Sequence, residues 1–135
     1  GEPAMAKYLA TIPCRFFVCD YDYNAYGPQH LQETHRPLYE TFRAAQPDTP
    51  ILFMTKPDFE FDPLAAARRE VIRATYDFAR ANGDKNVYFL DGETLFGKED
   101  RMHCTMDRCH PTDFGFYRMA KTVYAKLCEA GLFDK

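Results

Sequence analysis

The residues best suited to chemistry in this 135-residue chain lie in one stretch, His103-Cys-Thr-Met-Asp-Arg-Cys-His-Pro-Thr112. Asp107 and His110 stand three positions apart, immediately ahead of Pro111. That spacing allows a carboxylate and an imidazole to share one turn. A carboxylate so placed holds one ring nitrogen and fixes the tautomer, leaving the other nitrogen as a general base. It also stabilises the imidazolium that forms once the base takes a proton. The plainer alternative is that both residues cap and order a loop. Asn24, in Asp20-Tyr-Asp-Tyr-Asn24-Ala, offers a side-chain amide that can donate to an oxyanion on a substrate carbonyl. As a single residue it is equally a turn former.

The same stretch supports other chemistry. His103, Cys104, Cys109 and His110 are four N/S donors of the kind zinc accepts, although adjacent pairs differ from the usual ligand spacing. Cys104 and Cys109 could also form a disulfide if the protein were exported. A cysteine nucleophile is a further option, because a nearby His lowers a thiol pKa. Both cysteines, however, belong to the base's own loop. Asp20, Asp22, Asp58, Asp91 and Glu93 cluster near predicted strand ends, which is ordinary turn chemistry. With no glycine-rich phosphate loop, a magnesium site is not favoured. The expectation is therefore no metal and no cofactor. His30 and His35 read as surface and core-edge residues of the first long helix.

Composition narrows the class. The chain fits one domain, 1–135, and 46% of it is hydrophobic, enough for a core without disulfide staples. A net charge of −3, with both signs interspersed, gives no basic stripe and so no nucleic-acid partner is expected. No apolar run reaches the length of a membrane span, so no membrane partner is expected. The five cysteines are odd in number and irregularly spaced, which argues for thiols and a cytoplasmic location. Two absences stand out: the chain opens on Gly1 rather than Met, and it contains no serine.

The elements that must position these residues follow from hydrophobic patterning. Three nearly continuous apolar runs begin at equal intervals: Arg15–Asp20, Ile51–Thr55 and Val87–Asp91. They read as strands buried on both faces. Leu31, His35, Leu38, Phe42 and Ala45 mark one helical stripe, interrupted by Pro37, which is expected to kink or restart the helix. Leu64, Ala67, Val71, Thr75 and Phe78 mark a second, with Asp62 and Pro63 at its start and Gly83 at its end. Phe116, Ala120, Val123 and Leu127 mark a third, from about Thr112 to Ala130, and a short helix over Pro3 to Ala10 opens the chain. The order α-β-α-β-α-β-loop-α predicts a doubly wound parallel sheet in a three-layer α/β/α flavodoxin-like sandwich. Ligands in such folds bind beyond the carboxyl ends of the strands, where the segments after each run carry the polar residues above.

Together, "DYDYNA" after a strand and "CTMDRCHPTDFGFYRMA" near the C-terminus resemble the SGNH hydrolase (GDSL-type esterase/acylhydrolase) family. The stretches "THRPLYETFRAAQPDTPILFMTKPDF" and "DKNVYFLDGETLFG" resemble its bacterial branch. The resemblance implies that His110 is the catalytic base, Asp107 its orienting acid and Asn24 an oxyanion-hole donor. It implies a serine esterase acting on a small ester, such as an acetylated carbohydrate. The family's Ser-bearing block and its glycine block have no counterpart here, so the first strands are expected to be missing from this chain. The strands seen would then be the family's third, fourth and fifth, and the first of them an open edge. An open apolar edge invites pairing, with an N-terminal fragment or in a homo-oligomer. The competing expectation is a non-catalytic α/β module that associates through that edge.

Overall fold

The computed structural model describes residues 1–57 and 61–133. A short helix α1 (Pro3–Ala10) leads to strand β1 (Phe17–Cys19), helix α2 (Pro28–Ala45) and strand β2 (Ile51–Met54). Helix α3 (Ala65–Ala81), strand β3 (Val87–Leu90) and helix α4 (Asp113–Glu129) complete the order. Between β3 and α4 the chain forms short 3₁₀ turns at Gly92–Thr94 and Arg101–His103.

The three strands form one parallel sheet in the order β1-β2-β3. Phe17 aligns with Ile51 and Ile51 with Val87. Alternation along central β2 divides the core between two layers. Ile51 and Phe53 pack with Ala6 and Ala10 of α1, Leu31, Leu38 and Phe42 of α2, and Ile72 and Ala79 of α3. Leu52 and Met54 face the other way, towards Leu90, Leu95 and Leu127, with Met119 and Val123 of α4 beside them. All four β2 side chains are buried, each contributing roughly 1.5–3 kcal/mol. The architecture is the expected three-layer α/β/α sandwich with a parallel sheet, and among the described residues β1 pairs only with β2. No helix among the described residues is long and apolar enough to cross a membrane.

Several packing expectations shift. The stripe on α3 is displaced: Ala65, Arg68, Ile72, Thr75 and Ala79 are buried, whereas Leu64 and Ala67 are exposed. The cause is Arg68, whose buried guanidinium is drawn inward by loop acceptors described below. On α2, Ala45 is exposed and the helix continues through Pro37, whose solvent-facing position lets water serve the carbonyl deprived of a partner. On α4, Phe116 and Ala120 are exposed while Val123 and Leu127 pack inward. His35 is a core residue rather than a core-edge one: it is fully buried, with Nδ1 2.9 Å from the Thr75 hydroxyl and its ring against Phe53.

Candidate active site

The loop carrying Asp107 and His110 is closed by its own backbone. Met106 N–H donates to the His110 carbonyl at 3.0 Å, and Thr112 N–H donates to the Cys104 carbonyl at 2.9 Å. Thr112 then caps α4, its hydroxyl accepting from Gly115 N–H at 3.2 Å while donating to the His103 carbonyl at 2.8 Å. Gly115 is needed for this seating, because a Cβ there would overlap the Cys104 carbonyl oxygen. Arg108 turns the chain in the left-handed region at φ 66°.

Within this frame the Asp107 carboxylate is fully used. Oδ1 accepts from the backbone N–H of His110 at 2.7 Å and of Cys109 at 3.0 Å, and Oδ2 lies 2.7 Å from His110 Nδ1. The His110 N–H, the imidazole and the Cys109 N–H together hold the Asp107 carboxyl down to about 2. It therefore stays an acceptor, which fixes the proton on Nδ1 and leaves Nε2 as the basic nitrogen. Nε2 makes no hydrogen bond among the described residues, and the imidazole is open to solvent. The spacing had left loop capping and imidazole orientation as alternatives; one carboxylate accepts from the loop amides and also holds the ring.

Asn24 is held from the other side of the fold. The loop after β1 is pinned by Asp22, whose Oδ2 accepts from Lys56 N–H at 2.7 Å. The Arg68 guanidinium reaches up from α3 to donate to the carbonyls of Asp22 at 2.7 Å and Ala25 at 2.9 Å, with Asp22 Oδ1 3.6 Å away. Both side chains are buried. Burial pushes the Asp22 carboxyl up, opposed by the Lys56 N–H and the Arg68 charge. Asn24 thus sits on a loop clamped at both ends, its side chain exposed.

The Asn24 loop and the residues flanking His110 border one hollow, which His110 and Asp107 do not themselves line. A cavity of about 150 Å³ is lined by Asp20, Tyr23, Asn24, Lys56, Cys109, Pro111 and Phe116, among others. The residues on either side of His110 line it together with Asn24. Tyr23, Lys56 and Phe116 were not anticipated as site residues, since they come from three separate elements.

The alternative ligand sets do not form. Among the described residues no three or more His, Cys, Asp or Glu side chains gather as a metal site. The zinc reading for His103, Cys104, Cys109 and His110 is not supported, because these four side chains do not gather into one ligand set. No disulfide joins Cys104 and Cys109. Asp91 and Glu93 pair with Arg69, at 3.2 and 3.1 Å, and Asp22 with Arg68, so these acids serve turns and ion pairs. Asp58 lies outside the described residues.

Solved structures share this arrangement of elements. A protein of Bacteroides ovatus ATCC 8483, described as a GDSL-like lipase, is 27% identical with a TM-score of 0.82, over 95% of this chain and 39% of that one. The salicylyl-acyltransferase SsfX3 from a tetracycline biosynthetic pathway is 20% identical with a TM-score of 0.78, over 96% of this chain and 42% of its own. A family two carbohydrate esterase from Clostridium thermocellum, solved with cellohexaose, is 18% identical with a TM-score of 0.71, over 88% and 37%. The last two likenesses speak for the fold alone. The chain spans about two fifths of the length of these structures. No match was found among curated protein sequences. The sequence pattern of GDSL-like lipases and acylhydrolases matches residues 2–128, almost from end to end, and the chain belongs to that family.

Proposed function

We propose that this chain is the base-bearing part of a serine ester hydrolase of the SGNH type. The observation that carries the reading is the 2.7 Å contact of Asp107 Oδ2 with His110 Nδ1, on a loop that shares a cavity with Asn24. The chain contains no serine, so the nucleophile comes from outside these residues in the parent protein. It, or a second copy of the chain, is placed by this reading along the open edge of β1.

The steps follow from the geometry. His110 Nε2 takes the proton from the serine hydroxyl as its oxygen bonds to the ester carbonyl carbon. Asp107 stabilises the resulting imidazolium, and the Asn24 amide donates to the oxyanion. Collapse breaks the C–O bond to the alcohol, which leaves with the proton from Nε2. Water, deprotonated by the same nitrogen, then releases the acid and regenerates the serine. No metal or organic cofactor enters these steps. A small ester is the substrate class, and an acetylated carbohydrate the candidate within it, as the family resemblance of the sequence implies.

The test is covalent labelling of the full-length gene product with a serine-reactive fluorophosphonate, mapped by mass spectrometry. The expected result is one adduct on a serine outside this stretch, lost in His110→Ala, together with ester turnover. A folded full-length protein that takes no label and turns over no ester would leave a module that associates through its sheet edge.

A further inference from the structure

Lys56 follows the central strand, and its side chain is buried in the wall of the cavity shared by Asn24, Cys109 and Pro111. Among the described residues its ammonium, with three donors, finds one hydrogen-bond acceptor, the Pro57 carbonyl at 3.2 Å. The face of the Tyr23 ring lies 4.9 Å from Nζ. No carboxylate pairs with it among the described residues. Asp20 lines the same cavity without reaching it, and Asp22 is turned to the Lys56 backbone and to Arg68.

The position of Lys56 is also enforced. Its N–H is held by Asp22, and its carbonyl lies so close to Gly92 that a Cβ there would overlap it. A buried cation with one neutral acceptor is costly unless an anion completes it. Aromatic contact offsets part of that cost but leaves the remaining N–H donors open. Rigid backbone, buried stem and open donors together describe a charge held ready for a ligand.

We propose that Lys56 is a specificity-determining residue that binds a carboxylate, so that the cavity selects ligands carrying a negative charge beside the reacting centre. This deepens the esterase reading by assigning a charge to its substrate. The binding itself does not depend on turnover. At about 150 Å³ the cavity limits the group to a few heavy atoms.

The experiment titrates the full-length protein with butyrate and with its neutral isostere butyramide, reading the Lys56 ammonium and Asn24 side-chain signals by NMR. Butyrate is expected to shift both saturably and to bind about 10- to 100-fold more tightly than butyramide, as a charge-assisted hydrogen bond implies. Lys56→Met should abolish that preference, and Lys56→Arg should retain part of it, each with an otherwise unchanged backbone spectrum. Equal binding of the two probes, no saturation with either, or a preference that survives Lys56→Met would overturn the assignment. Butyrate binding without serine labelling would remove the esterase reading alone. Labelling without butyrate preference would remove this one alone.

Discussion

Acid should destabilise this fold through one side chain, His35. The imidazole is fully buried between α2 and α3, with Nδ1 beside the Thr75 hydroxyl and Nε2 without a partner. Burial pushes its pKa down from 6.5 to about 4. In the unfolded chain the group regains its ordinary value, so between these limits the unfolded state binds more protons. Stability therefore falls as pH drops through that window and is fully present above pH 6.5. A depression of this size corresponds to about 1.2 kcal/mol lost at pH 5.5 and about 2.4 kcal/mol at pH 4.5, relative to neutral pH. With a urea dependence of about 2 kcal/mol per molar, the midpoint should drop by about 0.6 M at pH 5.5. The raised carboxyls of Asp20 and Asp22 act in the opposite sense, favouring the fold as acid protonates them. The assay is therefore a difference: urea midpoints from pH 4.5 to 7.5 for the native sequence and for His35→Gln, whose amide can still reach Thr75. The variant should lack the His35 share of the slope. Parallel loss of stability in both proteins would refute the reasoning, because it would assign the acid sensitivity elsewhere.

Other perturbations have equally definite outcomes. The Asp107 carboxyl is held down to about 2, so the signal of its own carboxyl carbon should show its protonation step only near pH 2; a step near pH 4 would show that the carboxylate is not held. Gly92→Ala places a Cβ against the Lys56 carbonyl and 2.5 Å from that of Thr55, and should cost about 3 kcal/mol by urea unfolding. Gly131→Ala, at φ 71° with open space around it, should cost only about 1 kcal/mol in the same assay. Arg68→Met leaves Asp22 buried and two carbonyls without their donor, and should cost about 3–5 kcal/mol; a loss under about 1 kcal/mol would mean that water replaces the guanidinium.

What the sequence shows of this molecule depends on how local the cause is. The strands are legible because each is a short continuous run of β-forming apolar residues, and burial on both faces leaves no alternation to blur them. Asp107 and His110 are legible because one turn contains both partners. The stripe on α3 is misread because Arg68 looks like a surface residue. Its burial is decided by the Asp22 and Ala25 carbonyls, some forty positions away in a loop after another strand. His35 goes astray for a similar reason, since its polar atom is satisfied by Thr75 on a different helix. Lys56 and Tyr23 join the site only because parallel topology brings the ends of β1 and β2 together beside the loop before α4.

The two halves of the site are secured by different physics, and this separates their modes of failure. The base loop is held by short-range backbone bonds, a threonine cap and an exposed carboxylate, all within residues 103–115. None of these contacts reaches the sheet core, so Asp107→Asn should impair the proposed base while leaving the urea midpoint close to the native value. The Asn24 loop, by contrast, is fastened by a buried cation on α3 and by the backbone after β2, both continuous with the core. Loosening it must cost global stability. On the proposed function, variants that weaken Asn24 through Arg68 should therefore lose stability and oxyanion binding together, whereas variants at Asp107 should lose activity alone. If Asp107→Asn unfolded the protein as readily as Arg68→Met, the base loop would be part of the core's cooperative unit, and its apparent independence in the structure would be misleading.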